Sequence, residues 1–280
     1  MARFEFRGID IELFVATEIL RLKSLHYGYW DSLPSKDDLT LKTIRLAQTR
    51  FTDRLLSYIP EGVHDVLDVG AGIGDNAQAL ARRGYSVTAI SPDKNHPRYF
   101  DALREKEGIT FCHTTFERFD LRQQFDLILM SESLNYIDRH VGLQQCQRYL
   151  RPHGHLLVAA MFRRPGEQGY GPSWSPTDLD YVTQAREYGL SLIAAEDITS
   201  NVVPTLEYAY SRIEKYVTPT FSMLRKIGAG SVFRGTFEKL DEARRYYDRR
   251  VNPQYFNRYV RYVVLLFEHA SRSATRGSCS

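Results

Sequence analysis

From Val66 the chain reads VLDVGAGIGDNAQALARRGYSVTAISPD, an apolar strand running straight into glycines at alternate positions and then into an alanine-rich helix. Val66, Leu67 and Val69 make a short buried strand interrupted by Asp68. Gly70, Gly72 and Gly74 follow, and a second β-branched run ends at Ile90. Few folds accept that order. A strand, a glycine turn and a helix N-terminus form a nucleotide site in most doubly wound α/β proteins, because the amide groups there point outward and only glycine lets a ligand approach the backbone. The dinucleotide fingerprint is GxGxxG, whereas here Gly70-Ala71-Gly72-Ile73-Gly74-Asp75 brings the third small residue one place early and puts Asp75 in the slot that fingerprint keeps small.

The pattern downstream supports the same class. Strands are expected at Asp65–Val69, Ser86–Ile90, Thr110–His113, Phe125–Ser131 and His155–Met161, with helices beginning near Asn76, His96 and Arg139. The strands are apolar throughout, as in a parallel sheet covered on both faces. Upstream, Ile11, Phe14, Val15, Ile19, Leu22 and Leu25 repeat at helical spacing and predict an amphipathic helix that stops near HYGYWD, and Leu41 to Tyr58 predicts a second, ended by Pro60. After Met161 come a loop, RRPGEQGYGPSWSP, then a helix at Thr177–Tyr188 and a strand in LSLIAAEDI. Residues 203–250 read as helical with breaks around Pro219 and IGAGS, and RYVRYVVLLFEH closes the sheet. The expected architecture is α/β: a Rossmann-like, doubly wound, mostly parallel seven-stranded sheet with an N-terminal helical cap and a helical lid before the last strand. One domain is expected over 1–270, with the cap at 1–35, the core at 36–198, the lid at 199–256 and the last strand at 257–268; 271–280 reads as a disordered tail.

Composition narrows the partners. A formal charge of +3 over 280 residues is too small to suggest a nucleic-acid binder. Cys112, Cys146 and Cys279 form no CxxC pair, so no metal is expected, and they read as reduced thiols of a cytoplasmic protein. The start, MARFEFRGIDIEL, has charges scattered through it and does not read as a signal peptide. No run of about eighteen apolar residues predicts a membrane span, so no stable membrane insertion is expected.

The succession LDVGAGIG, VTAISPD, ITFCHTTFERF, FDLILMSESLNYID and LRPHGHLLV resembles class I S-adenosylmethionine-dependent methyltransferases over about Val63 to Met161. The SPD spelling and the HYGYWD segment are similar to the small-molecule branch that includes cyclopropane-fatty-acid-synthase-like and tocopherol-methyltransferase-like enzymes. The resemblance implies S-adenosyl-L-methionine as cofactor, with S-adenosyl-L-homocysteine as product. It implies that Asp68, Gly70 and Gly72 line the cofactor's amino-acid end, that Phe116 lies against adenine, and that Met130 and Ser131 sit under the cofactor. Two departures stand out: Ser91 occupies the place of the usual ribose-binding acid, and Thr115 that of an aspartate on the adenine amino group. Pro92 and Asn95 fall on the same cofactor loop. His26, Tyr27, Gly28, Tyr29, Trp30 and Asp31 match a segment that folds over the cofactor in that branch; Tyr27 and Trp30 are assigned to the cofactor and Tyr29 to the acceptor.

In-line methyl transfer needs a nucleophile on the sulfur axis and, for many acceptors, a base. Glu132, just past the fourth strand, is the first candidate base, and His26 is the second, since an imidazole titrates near neutral pH. Tyr136 and Tyr208 are candidate acceptor contacts. The tyrosines and phenylalanines between Tyr208 and Phe256 favour an apolar or aromatic small molecule, and Arg244, Arg245, Arg249 and Arg250 read as a solvated helix face. Two rival readings remain: a nicotinamide-dependent oxidoreductase, disfavoured by Asp75, and a non-catalytic S-adenosylmethionine-binding partner protein.

Overall fold

The computed structural model describes residues 5–6, 9–167, 176–226 and 252–270. Two residue pairs, β1 (Glu5–Phe6) and β2 (Ile9–Asp10), form a small antiparallel ladder. The apolar runs then give β3 (Asp65–Val69), β4 (Ser86–Ile90), β5 (Thr110–Cys112), β6 (Phe125–Ser131), β7 (Leu150–Arg163), β8 (Leu190–Asp197) and β9 (Val260–His269). They build one seven-stranded sheet in the order β5-β4-β3-β6-β7-β9-β8. The pairs β3–β4, β3–β6, β4–β5 and β6–β7 are parallel, while β8 runs antiparallel to β9. Strand order therefore reverses at β3 and β6. Open α/β sheets bind ligands at the carboxyl ends of strands flanking such a reversal, because the crossovers there leave in opposite directions and open a crevice.

The chain folds as two compact units, each assembled from three segments. The first holds residues 1–53, 163–174 and 198–262; the second holds 54–162, 175–197 and 263–280. The second unit carries the sheet and a core in which Leu67, Ile128, Met130, Leu156, Val158, Leu265 and Phe267 pack together. After α1 (Ile11–Phe14) and α2 (Leu41–Leu56) in chain order, α3 (Asp75–Arg82), α4 (Pro97–Glu107), α5 (Arg139–Tyr149) and α6 (Asp178–Glu187) of this second unit begin where the sequence places them. Thr177 and Asp180 cap the last of these reciprocally, each side chain taking the other's backbone amide. The first unit has its own core of Trp30, Leu39, Ile44 and Ala47.

Three expectations are corrected. The first amphipathic helix does not reach HYGYWD: it is α-helical only over Ile11–Phe14, widens to a π turn over Val15–Ile19 and stops. Thr17 Oγ1 donates to the Leu13 carbonyl at 2.9 Å, and Arg21 takes a left-handed φ of 49°, so the ladder is diverted and then ended. The strand expected at His155–Met161 extends to Leu150–Arg163, because Pro152 and Gly154 sit in an irregular stretch of ladder instead of ending it. The break expected near Pro219 is a π turn, Ile213–Val217, and the helix Thr218–Lys226, which contains Pro219, continues directly from it. Phe233, Phe237, Tyr246, Tyr247, Cys279, the four late arginines and the expected tail lie outside the described residues.

Candidate functional site

The glycine turn leaves β3 with three left-handed residues: Gly70 at φ 76°, Gly72 at 56° and Gly74 at 89°. Gly70 and Ala71 both donate to the Ile90 carbonyl, at 2.9 and 3.0 Å, which ties the turn to the end of β4. Gly74 explains the early third glycine. A Cβ there would come within 2.5 Å of Leu103 and 3.1 Å of Phe100, so Gly74 lets α3 close onto α4. The packing task of the dinucleotide fingerprint is thus met one residue sooner, and Asp75 opens α3 instead.

Around this turn lie three buried polar atoms with no hydrogen-bond partner: Asp68 Oδ2 at the end of β3, Ser131 Oγ at the end of β6, and Ser133 Oγ two residues on. Ser133 was not singled out in the sequence. Its signal is visible only in three dimensions, where its Cβ lies 2.4 Å from the position a Gly70 Cβ would occupy. A folded chain seldom leaves buried polar atoms unpaired, since each forfeits its hydration. Their concentration at the strand-order reversal marks a place built to receive a polar ligand. Asp68 is only 1% exposed, and its carboxyl is pushed up to about 8, first by burial and second by the nearby Asp75 carboxylate. A cationic ligand group brought beside Asp68 would favour its charged form and donate the hydrogen bond that Oδ2 now lacks, so the corner suits such a group. An S-adenosylmethionine amino-acid end carries such a group, so these residues fit it.

Glu132 follows Ser131 with φ 59°, a left-handed conformation that costs a non-glycine residue about 1–2 kcal/mol. Its amide donates to the Ala159 carbonyl on β7 at 2.8 Å, which holds the conformation. Strain of this kind gathers at functional positions. Tyr136 stands in the short helix Leu134–Tyr136 with 58% of its surface exposed.

Several expected site residues do other work. Phe116 is 2% exposed and packs in the sheet core. Met130 is core as well, which leaves only its backbone for a ligand. Thr115 caps the turn Phe116–Arg118, accepting from the Arg118 amide. Ser91 is buried, and its hydroxyl is hydrogen-bonded to His96 Nδ1 at 2.7 Å. Pro92 O meets His113 Nε2 at 3.1 Å, and Asn95 donates through its amide and its side chain to Asp93 Oδ1.

In the first unit the HYGYWD segment is a packed element. His26 is stacked on Phe51 at 4.5 Å, with Nδ1 on the Tyr27 carbonyl and Nε2 on Thr52 Oγ1. Both ring nitrogens are engaged. Tyr27 sits edge-on to Tyr262 and Phe256, and Trp30 is buried in the core with Nε1 donating to Thr205 Oγ1. Tyr29 donates its amide to the Ala47 carbonyl, and Tyr208 packs on the Trp30 core with Arg212 over its ring. Among the described residues no cluster of metal-ligating side chains occurs, and no helix is long and apolar enough to cross a membrane.

Residues 67–158 match the methyltransferase domain family. A ubiquinone biosynthesis O-methyltransferase of Bradyrhizobium diazoefficiens is 30% identical over 158 residues, covering 53% of this chain and 62% of that protein's length. Methyltransferase GfsG of Streptomyces halstedii is 27% identical over 214 residues, covering 68% of this chain and 75% of that one. Among solved structures, geranyl diphosphate C-methyltransferase of Streptomyces coelicolor superposes with a TM-score of 0.65 at 14% identity, covering 92% of each chain. The [4+2]-cyclase SpnF superposes with a TM-score of 0.67 at 17% identity, over 93% of this chain and 94% of that one, so the fold is shared more widely than the reaction. Residues 67–158 thus match a methyltransferase domain, this chain spans under two thirds of the length of the O-methyltransferase it matches at 30% identity, and the Gly-x-Gly-x-Gly turn and strand order are those of the Rossmann-like methyltransferase fold.

Proposed function

We propose that the chain transfers a methyl group from S-adenosylmethionine to a hydroxyl of an apolar or aromatic small molecule. The observation that carries the reading is the set of buried, unpartnered polar atoms on Asp68, Ser131 and Ser133 around a glycine turn at the strand-order reversal. Asp68 with Gly70 and Gly72 would hold the cofactor's amino-acid end, and the loop from Ser91 to Asn95 its nucleoside. The bound cofactor supplies an electrophilic methyl carbon on a sulfonium. Glu132 accepts the proton that the acceptor hydroxyl loses, and Tyr136 borders the acceptor. Oxygen is the acceptor atom to test first, because the relative at 30% identity is an O-methyltransferase. Asp75, in the slot that the dinucleotide fingerprint keeps small, speaks against a nicotinamide dinucleotide.

Calorimetry with S-adenosylmethionine, S-adenosylhomocysteine and NAD tests the cofactor. The first two should bind and the third should not. A screen of phenolic and aliphatic alcohols, followed by mass spectrometry for a gain of one methyl, tests the reaction. With an acceptor in hand, Glu132→Gln should keep cofactor affinity and lose at least about tenfold in turnover, the low end of general-base contributions. Unchanged turnover would leave Glu132 as a turn residue only. A chain that binds S-adenosylmethionine but methylates nothing in the screen would favour a non-methylating role of the kind the cyclase fold allows.

A further inference from the structure

The chain leaves β6 at Glu132, and a side chain completes the ladder that the backbone abandons there. β6 and β7 pair in parallel up to Ser131 opposite Ala159, and the Glu132 amide donates to the Ala159 carbonyl at 2.8 Å. Ladder donors on one edge of a parallel strand recur at every second residue, so a continued β6 would offer the Leu134 amide to the Met161 carbonyl. Glu132 instead turns left-handed, with φ 59°, and the chain coils into the short helix Leu134–Tyr136. Asn135 Nδ2 donates to the Met161 carbonyl at 3.0 Å, in the place that the ladder amide would have held.

That stitch fixes more than one residue. The turn is tied to β7 at two carbonyls, Ala159 before it and Met161 after it. A left-handed non-glycine residue persists only where its surroundings over-determine it, and these two ties supply that constraint from both sides. The Tyr136 amide closes the turn on the Ser133 carbonyl at 3.0 Å. Flanking Glu132 are Ser131 and Ser133, whose buried hydroxyls have no hydrogen-bond partner. Ser133 stands so close to the glycine turn that a Cβ on Gly70 would lie 2.4 Å from its own. A looser β6 turn therefore shifts both hydroxyls relative to the glycine turn.

We infer that Asn135 is the positioning residue of this corner: its side-chain amide substitutes for a ladder donor, holds Glu132 left-handed, and so sets the Ser131 and Ser133 hydroxyls where the cofactor's amino-acid end is received. The inference rests on the S-adenosylmethionine reading above. What the position requires is a donor. An aspartate there has the same size but offers the Met161 carbonyl only acceptor oxygens, which turns attraction into repulsion.

Amide exchange without any ligand tests the stitch, and calorimetry tests its consequence. In Asn135→Ala and Asn135→Asp, the amides of Glu132 and Tyr136 should exchange about tenfold or more faster than in the intact protein, while Val66–Val69 stays slow. Unchanged exchange at both amides in both variants overturns the inference, whatever the ligand. Calorimetry then compares S-adenosylhomocysteine with 5′-methylthioadenosine, which lacks the amino-acid end. The intact protein should prefer the former. Both variants should lose about five- to tenfold of that preference, the range set by the net worth of one hydrogen bond. Asn135→Gln keeps the donor one carbon further out and should recover part of it. A stitch that serves stability alone would lower the melting temperature of Asn135→Ala and Asn135→Asp and leave their preference intact, and that result overturns the assignment. An intact protein with no preference between the two ligands would instead defeat the cofactor reading, with the exchange measurement still deciding whether Asn135 holds the turn.

Discussion

Gly70 is doubly constrained: its φ of 76° suits only glycine, and an added Cβ would come within 2.4 Å of Ser133 Cβ. Gly70→Val therefore disturbs folding as much as binding, and Asp68 offers the cleaner probe of the same corner. Its carboxyl is pushed up to about 8 by burial and by Asp75, from the ordinary 3.8. Between about pH 4 and pH 8 the folded chain then keeps a proton that the unfolded chain has released, so this residue's contribution to stability falls as pH rises through that window. Asp68→Asn removes the titration and keeps the shape. Its stability relative to the unsubstituted chain should rise from pH 5 to pH 8, by up to about 1.4 kcal/mol per pH unit. Urea denaturation at the two pH values checks this; parallel curves for the two proteins would mean that Asp68 is ionised in the fold. Glu132 poses the converse case, a non-glycine residue held in a left-handed backbone, and no sequence rule announces a left-handed glutamate.

At the scale of elements, the segment His26–Asp31 looks from its sequence like a mobile aromatic cover. The structure ties it down instead. Gly28 N and Trp30 Nε1 both donate to Thr205 Oγ1, Trp30 and Asn201 exchange two hydrogen bonds, and Gln48 Nε2 donates to the His26 carbonyl. A Cβ on Gly28 would fall 2.5 Å from Ala47 Cβ, so the backbone here is as close-packed as a helix contact. Thr205→Val keeps the volume and removes the shared acceptor, leaving two donors without it at about 1–3 kcal/mol each. Amide exchange at Gly28–Trp30 should then accelerate by tenfold or more, while exchange along Val66–Val69 stays slow. Equal exchange in both proteins would show that close packing alone holds the segment. Rings that close a core and rings that line a pocket obey the same periodicity, so the sequence alone does not distinguish them. Only partners such as Phe51 for His26 and Thr205 for Trp30 tell them apart.

For the molecule as a whole, the legible part was whatever is local. Strand runs, the glycine turn and helix starts follow from a few neighbouring residues, and β3, β4 and β6 have the expected boundaries. What depends on distant segments was hidden: Ser133 against Gly70, and the assembly of each unit from three stretches of chain. The last strand shows how far such dependence reaches. β9 enters the sheet between β7 and β8, and β8 pairs with it antiparallel from Leu190–His269 to Asp197–Val263. Val263, Leu265 and Phe267 lie in the same core as Leu67 and Ile128. At about 1.5–3 kcal/mol each, burying those three side chains contributes roughly 5–9 kcal/mol, comparable with the 5–15 kcal/mol that holds a typical domain together. A chain ending at Tyr259 should consequently lose both that burial and the hydrogen-bonding partner of β8, and expose the edges of β7 and β8 to aggregation. Its urea titration should show no cooperative transition by circular dichroism, although every residue of the glycine turn, of β6 and of the loop at Asp93 is still present. A native-like spectrum with a sharp transition would mean that the first six strands of the sheet are stable without the seventh. In that event the cofactor-side half of the sheet could be studied alone, and calorimetry with S-adenosylhomocysteine on the shortened chain would report whether its site survives.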